Sequence, residues 1–179
     1  TCVTSQNTRA VEGIFKLPVD VIRTQLESIL DDLPIAAVKT GMLYDEEIVH
    51  LVSKLLAHHH LKPIVDPVMV ATSGDTLSAP SFVSALKDHL LPHALMVTAN
   101  ASEASIVAGM PVETQQDAKD ACKTIFLFGT QYVLVKGGHL REESAVDILY
   151  DGKRYYTFSL PRIPTKKAHG CGCTLSALI

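Results

Sequence analysis

Leu95-Met96-Val97-Thr98-Ala99-Asn100-Ala101-Ser102-Glu103 is the stretch on which the reading of the fold turns. Its apolar start predicts a short strand over 95–98, and helical spacing takes over from Ser102 to Gly109. The same switch recurs on both sides. Upstream, 35–39 reads as a short buried strand ending at Thr40-Gly41, and 63–66 as another stopped by Pro67. Helices are predicted from Pro18, with Ile22, Leu26, Ile29, Leu30 and Leu33 on one face, and from Asp45, with Ile48, Val52, Leu55 and Leu56 inward. A third is predicted over 80–91. Thr1 to Ser5 reads as the tail of a strand.

Downstream, 114–128 is a predicted helix and 131–136 a strand that ends in Gly137-Gly138. Alternating stretches at 145–150 and 153–159 flank Asp151-Gly152, a hairpin signal because this pair tolerates the positive φ of a tight turn. Finally, Gly170-Cys171-Gly172-Cys173 precedes a predicted helix starting at Thr174. Short Val- and Ile-rich strands alternating with helices predict an α/β fold. Its central sheet is mostly parallel, with helices on both faces and a late antiparallel hairpin. Residues 1–179 read as one domain. Ligands of such sheets sit at the carboxyl ends of the strands, where Lys39-Thr40, Asp66, Thr98 to Asn100 and Lys136 fall.

Composition narrows the function. The 179 residues are 47% hydrophobic, too apolar for a disordered tail, and 16 Lys and Arg against 19 Asp and Glu leave a charge of -3. That balance argues against nucleic-acid binding, which normally needs a basic face, and no apolar run reaches bilayer-spanning length. Cys2, Cys122, Cys171 and Cys173 show no disulfide framework, so a reducing, cytoplasmic setting is expected. His58-His59-His60 reads as a solvated helix end, because adjacent residues do not share a helix face.

Four local signals carry chemistry. In Gly170-Cys171-Gly172-Cys173 the glycines let successive N–H groups converge at a helix start, which suits phosphate or a developing oxyanion. Cys173 at that start is expected to have a lowered pKa. A plain glycine loop with two buried thiols is the competing reading, and a metal ion shared by His169, Cys171 and Cys173 is another. Lys136, beside two glycines at a strand end, is placed to neutralise phosphate, or is an ordinary exposed lysine. Asn100 and Glu103 can hold the water shell of a magnesium ion, although an N-cap with a first-turn Glu is the commoner use of that pattern. Asp66 before Pro67 is a strand-end carboxylate or a turn Asp. Together these groups make the set that phosphoryl transfer needs, without a P-loop and without the protein-kinase motifs.

Gln6-Asn7-Thr8, Lys39-Thr40-Gly41-Met42-Leu43, Asp66-Pro67-Val68-Met69, Ser73-Gly74-Asp75, Lys136-Gly137-Gly138-His139 and His169-Gly170-Cys171-Gly172-Cys173-Thr174 occur in one order along the whole chain. In that order and spacing they resemble the hydroxymethylpyrimidine/phosphomethylpyrimidine kinases of thiamine biosynthesis. The resemblance implies a ribokinase-like fold, ATP and Mg2+ as cofactors, and phosphorylation of a small pyrimidine and then of its monophosphate. It implies Cys173 as catalytic base and Gly170, Cys171, Gly172 and Cys173 as the anion hole. Lys136 would be a phosphate contact, and Asp66, Asn100 and Glu103 the phosphate and magnesium side, with Glu103 reaching the metal through water. Gln6 would read the aminopyrimidine, and Met42 would pack near its ring. Lys39, Thr40 and Gly41 are given no part beyond shaping the pocket.

Two positions depart from the family pattern, Cys171 for the usual Thr and Ala99 for the usual Pro. The backbone N–H of Cys171 is unaffected, but two neighbouring thiols make the site oxidisable. By the same resemblance, the family's first strand, its Gly-rich substrate loop and much of its nucleotide pocket lie outside 1–179. A piece of a larger, homodimeric enzyme is therefore expected. A pyridoxal/pyridoxine kinase and a catalytically degenerate pyrimidine-binding paralogue are the alternatives.

Overall fold

The computed structural model describes residues 1–7, 9–71, 74–140, 143–163 and 170–179. Thr8, Ser73 and His169 of the motifs above, and the metal reading that depends on His169, lie outside the described residues. The central sheet has six strands in the order β3-β4-β5-β6-β7-β8. The strands β3 (Lys39–Thr40), β4 (Ile64–Val65), β5 (Met96–Asn100) and β6 (Tyr132–Lys136) are parallel. The hairpin β7 (Ser144–Tyr150) and β8 (Tyr155–Pro161) adds to β6 in antiparallel fashion. Asp151 organises its turn by accepting from the N–H groups of Lys153 and Arg154, and Gly152 takes φ of 86°.

Each parallel crossover steps one strand in the same direction. Right-handed connections then put α2 (Glu46–His58), α3 (Phe82–Ala85), α4 (Ala101–Ala108) and α5 (Gln115–Phe126) on one face. Burial agrees. Val65, Val97, Ala99, Val133, Val135, Val146 and Ile148 form one core with Ile48, Val52 and Leu56 of α2, Val107 of α4 and Ile125 of α5. The opposite face receives the last helix, α6 (Cys171–Leu178), at its carboxyl edge, where Ser176 bonds to Asp66.

Several elements differ from the sequence reading. Thr1 to Ser5 is not the tail of a sheet strand. It belongs to β1 (Cys2–Gln6), which pairs only with β2 (Val11–Lys16), a strand the sequence reading lacks. This ribbon is anchored at its base by the Thr1 hydroxyl on the Met42 carbonyl (2.6 Å) and by Lys16 on Asp45 and Glu47. Near its far end the Val11 N–H donates to Asp75 (2.9 Å). The buried strand expected over 35–39 shrinks to Lys39–Thr40, with Ala36 and Ala37 exposed. Ile29 of α1 (Val19–Leu30) and Leu33, which lies beyond its end, face solvent because this helix packs on α2 rather than on the sheet.

The helix expected over 80–91 is three pieces: α3, a π-helical turn Leu86–Leu90 and a 3-10 turn Leu91–His93. Pro92 cannot donate and crowds the carbonyl four residues back, so α-helical bonding lapses there. One turn carbonyl, that of His89, accepts from the Ser53 hydroxyl at 2.5 Å.

One glycine fixes where the site begins. A Cβ on Gly137 would stand 1.9 Å from the Val146 carbonyl oxygen, and the Gly137 N–H donates to Asp147 at 2.7 Å. The chain leaving β6 therefore runs against β7 with no room for a side chain. Gly137→Ala is expected to lower unfolding free energy by at least ~2 kcal/mol, as overpacking against backbone does. Urea melts of the variant and the parent protein check this.

Candidate active site

Strand register brings the polar strand ends together. Lys39 pairs with Ile64 and Ile64 with Met96, while Asn100 pairs with Lys136. Side chains alternate along a strand, so Lys39, Asp66, Thr98, Asn100 and Lys136 share one face. It is the face opposite to Val65, Val97, Ala99, Val133 and Val135 of the core.

At its centre lies Asp66, whose side chain is 2% exposed. Lys136 Nζ stands 3.1 Å from Oδ1, and Lys39 Nζ 3.6 Å from Oδ2. The Ser176 hydroxyl donates to the same Oδ2 at 3.0 Å. Lys136 also faces Glu103, at 3.9 Å from Oε2. A Cβ on Gly172 would stand 3.1 Å from Lys136 Nζ, so the ammonium lies against the first turn of α6.

That helix begins three residues earlier than expected. Gly170 caps it in the left-handed conformation, φ 80°, and the first bond runs from the Thr174 N–H to the Gly170 carbonyl (2.9 Å). Cys171, Gly172 and Cys173 are therefore the first helical residues, whose N–H groups precede that bond and are donors for an anion. Their partial positive charge adds to that of Lys136.

Asn100 and Glu103 form a capping box on α4. Asn100 Oδ1 accepts from the Glu103 N–H (2.9 Å), and Glu103 Oε2 from the Asn100 N–H (2.8 Å). The N-cap reading of this pair is thus the observed one, and the box also aims the Glu103 carboxylate at Lys136. Burial pushes the Glu103 pKa up to about 7 against the backbone bond and Lys136, which pull it down.

Cys173 departs from expectation. Its pKa lies above that of an ordinary thiol, first because the group is partly desolvated and then because the Asp66 carboxylate repels the thiolate. Lys39 and Lys136 oppose the shift without cancelling it. The helix-start argument left out a carboxylate that only the folded chain brings near. Cys171 is an exposed free thiol.

Gln6 is exposed at the end of β1, and Met42 is half-buried in the loop between β3 and α2. The sequence reading missed Ser176, an unremarkable helix serine by pattern, and gave Lys39 no electrostatic part. A signal for Lys39 existed in its strand-end position, whereas none existed for Ser176. Among the described residues no three His, Cys, Asp or Glu side chains converge to hold a metal by themselves. The hard oxygens of Asp66 and Glu103, on either side of the Lys136 ammonium, fit a magnesium ion that completes its shell with phosphate and water.

A model of the phosphomethylpyrimidine kinase family matches residues 1–179. This chain belongs to that family. It is 40% identical over 179 residues to the hydroxymethylpyrimidine/phosphomethylpyrimidine kinase of Streptomyces coelicolor, covering 100% of this chain and 66% of that protein. It is 44% identical over 182 residues to a probable thiamine biosynthetic bifunctional enzyme of Oryza sativa, of which it covers 33%. The chain thus spans about two thirds of one relative and one third of the other. An ADP complex of Bacillus subtilis pyridoxal kinase matches with a TM-score of 0.89 and 37% identity, over 99% of this chain and 68% of that one. The fold is ribokinase-like, as the motifs implied.

Glu103 gives the free protein a defined pH response. An unfolded Glu loses its proton near its ordinary value of 4.5, whereas the folded one holds it until about 7. Its contribution to stability is full below the lower value, falls as pH rises through this window, and is constant above it. The loss amounts to ~3 kcal/mol. Glu103→Gln keeps the capping acceptor and is expected to gain on the parent protein in urea melts as pH is raised across that range.

Proposed function

We propose that the protein is an ATP- and Mg2+-dependent kinase that phosphorylates 4-amino-5-hydroxymethyl-2-methylpyrimidine and then its monophosphate. The observation that carries this reading is the meeting of Lys136, Asp66 and Glu103 with the N-terminus of α6, which also bears Cys173. A donor end, a cation and a candidate base occupy one edge of the sheet, as transfer of a phosphoryl group to a hydroxyl requires.

In this reading the hydroxymethyl oxygen attacks the γ-phosphorus, the bond to the bridging oxygen of ADP breaks, and the hydroxyl proton passes to Cys173. The N–H groups of Cys171, Gly172 and Cys173 hold the phosphoryl oxygens, and Lys136 neutralises charge as it shifts toward ADP. Asp66 and Glu103 would hold the magnesium ion, which supplies further neutralisation of the phosphates. A raised pKa makes Cys173 a strong base once ionised. Lys39 and Lys136 are the cations that favour its thiolate. Cys173→Ala in the intact protein is expected to lower kcat by two or more orders of magnitude with modest change in KM. Steady-state phosphorylation assays check it, and parental activity in that variant would exclude Cys173 as the base.

Pyridoxal is the second reading, favoured by the structural likeness to the Bacillus subtilis pyridoxal kinase. Gln6 and Met42 support the pyrimidine, an amide and a thioether suited to an aminopyrimidine edge and face. A binding-only paralogue would need neither Lys136 nor Cys173, and both are present. Gln6→Ala is expected to raise KM for the pyrimidine and leave that for pyridoxal near the parental value. The opposite pattern, from paired assays on both substrates, would reverse the substrate assignment.

A further inference from the structure

We propose that Ser176 is a positioning residue of this site: its hydroxyl docks α6 onto Asp66 and thereby sets where the helix N-terminus and Cys173 stand. The proposal rests on the kinase reading above for its effect on turnover, but not for the docking itself.

Ser176 is the buried residue of α6, at 1% exposure, while the rest of the helix is half-buried or exposed. Its hydroxyl lies 3.0 Å from Asp66 Oδ2 and 3.1 Å from the Cys173 carbonyl oxygen. With one proton, it donates to the charged acceptor, which forms the stronger bond. The contact joins residues 110 apart in sequence. Asp66 is itself held by Lys136 on its other oxygen, so strand, carboxylate, serine and helix make one rigid chain. Ser176 follows Cys173 by three residues on the same helix, so a shift at the docking point moves the thiol and the first three N–H groups of the helix with it.

Removing the hydroxyl leaves Asp66 Oδ2 with Lys39 at 3.6 Å, too long for a good hydrogen bond. That oxygen then loses its hydroxyl donor, and α6 loses this tie to the sheet. Small displacements of reacting groups slow chemistry far more than they weaken ground-state binding.

The test is a double-mutant cycle in the intact protein with Ser176→Ala and Asp66→Ala. Ser176→Ala is expected to lower kcat about tenfold with KM for the pyrimidine within about twofold. Added to Asp66→Ala, which removes the acceptor, it is expected to cost less than about twofold more, because the interaction is already broken. Amide hydrogen exchange over 170–178 is expected to speed up in either single variant and no further in the double. Ser176→Thr, which keeps the hydroxyl, is expected to retain most of kcat.

Additive losses of kcat, or parental exchange in Ser176→Ala, would overturn the proposal. The exchange cycle decides the docking even without turnover, whereas a parent protein that phosphorylates neither pyrimidine nor pyridoxal overturns the kinase reading instead. If Ser176→Ala does not fold, Ser176→Cys, nearly equal in volume and a weak donor, is read by the same criteria.

Discussion

The site depends on a single carboxylate held out of water. Burying Asp66 unpaired would carry a penalty of several kcal/mol, and the structure offsets it with partners from β3, β6 and α6 at once. Without that charge, Lys39 and Lys136 would face each other across an empty acceptor and α6 would have no polar anchor. A buried ion pair is weak evidence for stability in general. Here its value is geometric, because it ties together β3, β6 and α6 at one carboxylate.

The surrounding backbone is shaped to serve this arrangement. Gly170 turns the chain into α6 from a left-handed conformation, and Gly137 lets β6 leave the sheet in contact with β7. Gly172 leaves space that the Lys136 ammonium fills. The capping box of α4 fixes Glu103 in the same way, using a helix-starting device to aim a carboxylate. Bonds within the protein fix these groups relative to one another, an arrangement that favours a reaction needing little reorganisation.

Much of this was legible in the sequence. The alternation of strands and helices gave the parallel sheet, and the rule that ligands sit at carboxyl ends singled out Asp66, Asn100 and Lys136, which the register then places side by side. Local pattern also gave the Asn100 N-cap and the Asp151-Gly152 turn. What was not legible depended on distant contacts. Thr1 to Ser5 has strand character, but whether it joins the sheet or forms a ribbon with β2 is settled by anchors at Met42, Asp45 and Asp75. Cys173 sits at a helix start, as expected, yet partial burial, joined by a carboxylate over a hundred residues away, reverses its predicted shift. Ser176 has no local signature at all, because its importance lies entirely in its partner.

The alternation of side chains along β4, β5 and β6 has a consequence for how such a protein changes over time. Odd-numbered positions such as Val65, Val97, Val133 and Val135 are the core, and even-numbered ones such as Asp66, Asn100 and Lys136 line the candidate site. Stability and reactivity are thus written in the same strands but on interleaved residues. Substitutions can explore new substrates on one set while the other keeps the fold, a separation of duties that makes the sheet evolvable without first becoming unstable.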